Sequence, residues 1–108
     1  MNTPRVTADA VANHLALKDP AAARDQLDYA VAAVNEQVAR WHGYTPEEPF
    51  TPSHLLGGIM LAAHLYRRRN TPGGVEQFNE LGVAYVQRSD PHVSQLLGLG
   101  AWTPPRVG

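Results

Sequence analysis

Apolar positions gather in two long runs separated by a proline-rich connection, and the second run is the wider. Between Leu55 and Tyr66 only His64 carries a strongly polar side chain. Apolar residues recur at Leu55, Ile59, Ala62 and Tyr66, and again at Leu56, Met60 and Ala63, so two adjacent helical stripes are apolar at once. The pattern predicts a helix over 53–69 covered on most sides. Thr51 can cap it, and Pro52 suits its first turn, where a missing N–H leaves no bond unmade. Gly57 and Gly58 each cost about 1 kcal/mol against alanine inside a helix, which implies close approach of another backbone. Three arginines end the helix and Thr71-Pro72-Gly73-Gly74 stops it. The apolar run falls short of the roughly 20 residues of a membrane span, so it reads as a core helix.

The first run is narrower. Thr7 caps a short helical pattern, TADAVANHLAL, in which Ala10, Val11, His14 and Leu15 can share a face. Asp19-Pro20 opens a longer helix running to His42, whose apolar series Leu27, Val31, Val34, Val38 and Trp41 makes a single seam. Arg24, Asp25, Asn35, Glu36 and Arg40 occupy the other side. Gly43 ends this helix, GYTPEEPFTP connects it to the next, and two helices joined in this way can pack antiparallel.

Beyond Arg69 the character changes. Residues 70–82 read as glycine-rich and irregular, with a helical turn around Val75 to Phe78. Gly82 to Arg88, GVAYVQR, is β-branched and aromatic enough for a short strand, and the chain offers it no second strand to pair with. Such a strand would find its partner on another subunit. Ser89-Asp90-Pro91 caps a last short helix with Val93, Leu96 and Leu97 inward, and the tail 99–108 is extended and carries Trp102. The expected fold is all-α: one domain over 1–108, a small helical bundle with one short strand or extended segment near 82–88 and an extended C-terminal tail.

Composition narrows the function classes. The chain has 108 residues, a formal net charge of −1 and 7% aromatic residues, so no bulk attraction to nucleic acid or anionic membrane is indicated. It has no cysteine, which removes disulfides, thiolate nucleophiles and cysteine metal sites. The N-terminus lacks the apolar segment of a signal peptide, and the expectation is a soluble chain made in a cytoplasm. No histidine pair has helical zinc spacing: His54 and His64 stand roughly 80° apart around a helix. His64 is expected as a hydrogen-bonded core or interface residue. Glu47 and Glu48 are adjacent in a solvated loop, whereas acid–base pairs must face one another across a cleft. No serine sits in a nucleophile elbow, and Gly73-Gly74 lacks the lysine of a phosphate loop. No catalytic, metal or cofactor site is expected.

Arg67, Arg68 and Arg69 are the one concentrated charge. As a solvated helix end they meet the negative pole of the helix dipole, worth roughly 0.3–1 kcal/mol each; as an interface they point around the helix and cannot all serve one partner. Trp102, with no helix to hold it, is expected to dock on its own bundle or on a neighbour.

The order of these parts resembles the head–tail connector, or head-completion adaptor, proteins of long-tailed bacteriophages. The resemblance rests on VTADAVANHLAL leading into a long helix that ends in a tryptophan, then LYRRRNTPGG and LGVAYVQRSDPHVSQLLG, and it spans nearly the full chain. Its most specific part is RRRNTPGG with RSDPHVSQLLG. It implies a small helical virion protein that forms a ring with copies of itself beneath the portal protein, in the host cytoplasm during assembly and then at the head–tail interface of the virion. Further connector or tail-completion proteins dock on the ring, and double-stranded DNA passes through without sequence-specific binding. The resemblance implies no enzyme, no cofactor and no membrane. On this reading the candidate subunit and portal interface comprises Arg67, Arg68, Arg69, Tyr85, Arg88, Trp102 and Arg106. A near-neutral charge suits a channel that must not grip DNA. The alternative is a small helical DNA-binding regulator using Arg67–Arg69 as phosphate contacts, though no helix-turn-helix pair with a polar recognition helix is evident. A helical adaptor of cellular origin is the third reading.

Overall fold

A broadly apolar helix has to be covered on several sides at once, and the surrounding chain does this. In a computed structural model, residues 5–70 and 75–100 are described. They form six helices and no strand: α1 (Ala8–Leu15), α2 (Arg24–His42), α3 (Pro52–Arg67), α4 (Val75–Leu81), α5 (Val83–Ser89) and α6 (Pro91–Leu96). The fold is an all-α bundle. No helix among the described residues is long and apolar enough to cross a membrane.

α3 is the hub. Thr51 caps it by accepting from the His54 amide at 3.4 Å, with Pro52 in its first turn. Gly57, Gly58, Leu61, Ala62, Ala63, Leu65 and Tyr66 are buried, Leu55, Ile59 and Met60 are half-buried, and only Leu56 of the two predicted stripes is exposed. α2 lies antiparallel to it, with His42 beside His54 and Val34 beside Gly58. The predicted seam holds: Leu27, Val31, Val34 and Val38 are buried and Trp41 is half-buried. Gly43, at φ 69°, ends α2 in the left-handed conformation.

The two glycines of α3 admit side chains rather than a backbone. A Cβ on Gly58 would stand 2.7 Å from Val6 Cγ2, and one on Gly57 would stand 2.9 Å from Leu97 Cγ and 3.1 Å from Leu96 Cβ. Val6 is held over Gly58 by Asn35 of α2, which accepts from the Val6 amide at 3.1 Å and donates to its carbonyl at 2.9 Å. The N-terminal segment and the end of α6 therefore enter α3 through successive residues.

Three expectations are corrected. The segment 82–88 is helix, not strand. Without a second strand its backbone N–H and C=O groups would lack partners, whereas a helix pairs them internally. The helix-propensity deficit of Val83, Tyr85 and Val86 is only a few tenths of a kcal/mol each, and the helix buries Tyr85 and Val86 together. The argument that this segment seeks a strand on another subunit falls with it. Residues 75–81 form two turns of helix, because Val75 and Phe78, three apart, reach the core from one face. α2 begins at Arg24; Asp19 does cap a turn, accepting from Ala22 at 3.3 Å, but residues 20–23 close with tighter i→i+3 bonds before the helix proper.

Candidate functional site

Three helices meet around a recess of about 240 Å³ at the C-terminal half of α3. Each contributes residues one turn apart. α3 supplies His64 and Arg68, α4 supplies Gln77 and Leu81, and α5 supplies Tyr85, Arg88 and Ser89. Phe78 sets the angle of α4 by packing edge-on against Trp41 of α2 and Tyr85 of α5, at 6.0 and 5.8 Å between ring centroids. Gly82 makes the joint between α4 and α5, beside the Trp41 indole.

Within the recess the polar groups are linked. The Tyr85 hydroxyl lies 3.1 Å from His64 Nε2 and is also hydrogen-bonded to the Ser89 side chain. Burial holds the His64 pKa below its usual value; Arg68 and, less strongly, Arg67 add to this, while Asp90 opposes it. Burial pushes the Tyr85 phenol up, against the opposing effects of Arg68 and Ser89. The imidazole and phenol are thus kept neutral near pH 7, and the positive charge of the recess resides on Arg68 and Arg88. Leu81, 42% exposed, adds an apolar edge. This is a surface suited to an oxyanion flanked by something apolar.

A second polar cluster lies at the other end of α3. The rings of His42 and His54 stack with centroids 4.0 Å apart. His42 Nε2 lies 2.6 Å from the Leu97 carbonyl, so this nitrogen carries the proton. The Tyr44 hydroxyl accepts from the Thr51 amide at 3.1 Å and lies 2.7 Å from His54 Nδ1, which takes its proton as acceptor. Burial, and then the neighbouring His42, hold the His54 pKa low. Among the described residues, no group of three or more histidines and carboxylates could hold a metal ion.

Of the residues singled out from sequence, the structure brings Arg68, Tyr85 and Arg88 together in the recess. It separates the other two arginines. Arg69 folds back, donating to the Tyr66 carbonyl at 2.8 Å with its guanidinium 4.0 Å from the Tyr66 ring centroid, and Arg67 is exposed at the last residue of α3. His64 is hydrogen-bonded, as its apolar setting implied. Trp102 and Arg106 lie outside the described residues. Sequence reading missed Gln77, Leu81 and Ser89, which could be found only once 75–81 and 83–89 were known as helices. The His42–His54 stack had a weak signal, a histidine on either side of a helix-connecting loop. No protein-family model, curated protein or solved structure matches the chain.

Proposed function

We propose that the chain is a structural subunit of a phage head–tail connector, without catalytic activity, that forms a ring under the portal protein, extends the DNA channel and offers a docking surface to the next connector or tail-completion protein. The observation that carries this reading is the convergence of Arg68, Tyr85 and Arg88 at one surface recess with Leu81 exposed at its edge. Arginine and aromatic residues around an apolar contact are the composition of protein interfaces. The regulator reading is weakened by how the arginine run divides, since Arg69 is folded onto Tyr66 and Arg68 faces the recess. A phosphate clamp needs its cations presented together.

The test mixes purified protein with DNA-filled heads that lack tails and with isolated portal rings. Negative-stain images should show added density at the portal vertex, and light scattering should show a portal complex. The protein should show no sequence-specific binding to a short duplex at about physiological salt, where specific sites reach roughly 10⁻⁸ M or tighter. Failure to dock on heads, together with tight, salt-sensitive duplex binding lost when Arg67, Arg68 and Arg69 become glutamine, would overturn the proposal.

A further inference from the structure

Residues 5–15 lie on the rest of the bundle as an arm, and the joint that folds the arm back is strained. Ala16 closes α1 at φ 54° and ψ 46°, and among the described residues it alone, glycines aside, has a positive φ. In that left-handed conformation a Cβ crowds the following carbonyl oxygen, which is why glycine usually takes the position. The reversal is short. The Ala16 and Leu17 amides donate to the Asn13 and Ala12 carbonyls at 3.1 Å each, and Asp19 caps the turn before α2. Ala16, Lys18, Asp19 and Pro20 are exposed. Pro20 bars a continuous helix from α1 into α2, because its ring would meet the Ala16 carbonyl. The joint therefore relaxes by opening to extended chain, and residues 16–19 then span about 13 Å.

The seat of the arm is built like a peptide site. Asn35 of α2 holds the Val6 backbone at both its polar groups, accepting from the amide at 3.1 Å and donating to the carbonyl at 2.9 Å. The Val6 side chain takes the space left by Gly58, with Cγ2 2.7 Å from where a Cβ would stand. The Arg5 guanidinium donates to the Thr45 carbonyl at 2.7 Å and to the Glu48 carbonyl at 2.8 and 3.0 Å, with its carbon 4.8 Å from the Phe50 ring centroid. Further along the arm, Asp9 pairs with Arg24 at 3.3 Å. These partners all lie between residues 24 and 58, beyond the joint. A second copy of the chain offers the same seat.

We propose that the arm is exchanged between copies: residues 5–15 of one molecule seat on α2, α3 and the 45–48 turn of a second, with the joint 16–19 extended between them. The contacts of the arm are retained in the exchange while the left-handed strain at Ala16 is lost. The exchanged form is thus reached at small cost, and a short strained joint invites it. Passed on from copy to copy, the exchange makes a ring or a filament; returned, it makes a dimer. It is a property of the chain whatever the assembly serves, and stands independently of the connector reading.

The chain has no cysteine, and Asp9 and Arg24 are both exposed, so a thiol can be placed at either without disturbing the core. Asp9→Cys and Arg24→Cys are made in separate chains and checked for folding by circular dichroism. They are then incubated together at high concentration and joined with a short bis-maleimide. The expected product is a covalent pair of chains linked between positions 9 and 24, identified by mass spectrometry and far more abundant than the dimers of either variant alone. Two substitutions at the joint should move self-association in opposite directions. Ala16→Gly, which removes the strain from the closed arm, should weaken it about fivefold by sedimentation, and Ala16→Val, with a β-branched side chain, should strengthen it. A chain that is monomeric at every concentration overturns the exchange. So does one that associates without a 9–24 product, or that associates equally in the parent and both Ala16 variants. A 9–24 product that responds to position 16, in protein that ignores tailless heads, supports the exchange while the connector reading fails. Docking on heads with no 9–24 product overturns the exchange and leaves that reading standing.

Discussion

The two ends of this bundle are built differently. Around the first half of α3, beyond the His42–Tyr44–His54 cluster at its start, the apolar contacts are tight: Val6 and Leu97 occupy the space of missing side chains at Gly58 and Gly57, and Val11, Val34 and Val38 are fully buried. Around its second half, α4 and α5 have seven residues each and meet α3 through His64, Tyr85 and a polar recess. Short helices derive their stability from packing rather than from propensity. The α4–α5 end therefore depends on a few anchors, chiefly Phe78 and Val86, both fully buried. One end specifies the fold; the other can vary its surface at small cost, which suits a place where partners dock.

The largest expected effect lies in the tight end. Val34→Asp puts a carboxylate where no solvent reaches, at a cost of several kcal/mol against a total stability of roughly 5–15. A thermal melt should show no cooperative transition. Phe78→Ala tests the other end. A buried phenylalanine is worth about 3–5 kcal/mol, and here the loss should fall on α4 and α5. Hydrogen exchange should quicken across 75–89 while the central amides of α2 and α3 stay protected. Uniform quickening would mean that the two ends fold as one unit.

Gly58→Ala has a smaller and more diagnostic effect. Alanine adds about 1 kcal/mol of helix propensity, so on an open face it would stabilise. Here the new methyl meets Val6 Cγ2 at 2.7 Å, and β-branched Val6 cannot swing clear because Asn35 holds its backbone. A net loss of about 1–2 kcal/mol is expected. Adding Val6→Ala should recover part of it, a coupling that a double-mutant cycle measures.

Acid should loosen both ends. His54 and His64 both have folded-state pKa values below the 6.5 of the free side chain. Between the folded and unfolded values the unfolded chain binds more protons, so stability rises with pH. The contribution is fully present above about pH 6.5 and is lost as pH falls through the folded values. The melting temperature should drop between about pH 7.5 and about pH 5.5, and less steeply when His54 and His64 are both glutamine. An unchanged slope in the double variant would place the acid sensitivity elsewhere.

The two ends also differ in how much of them the sequence reveals. α2 and α3 are long enough for periodicity to be decisive: the Leu27–Trp41 seam and the Thr51-Pro52 start are both found as read. α4 and α5 span two turns each, too few for a period, and the β-branched residues of 83–86 outweighed helix in a reading without tertiary context. The burial of Phe78, which fixes them as helices, is visible only in three dimensions. The same limit applies to the site. Arg68, Tyr85 and Arg88 were each singled out, but their convergence depends on α5 being helical, which puts Tyr85, Arg88 and Ser89 on one face toward His64 and Arg68.

The smallest effects belong to the arginine run, and they separate residues that look alike in sequence. Arg69→Gln removes a guanidinium from the Tyr66 ring and a bond to its carbonyl, an exposed cation–π contact worth about 0.5–1 kcal/mol. Arg67→Gln removes a charge from the last turn of α3, worth about 0.3–1 kcal/mol through the helix dipole. Melting curves alone will hardly rank them, but the His64 imidazole will. Arg68 is the larger of the two arginine influences that depress its pKa and Arg67 the smaller, both behind burial itself. An NMR titration should therefore find the His64 midpoint raised most in Arg68→Gln, less in Arg67→Gln, and unmoved in Arg69→Gln, whose guanidinium is turned toward Tyr66. If Arg69→Gln moved His64 as far as Arg68→Gln did, the run would not be divided between recess and helix end.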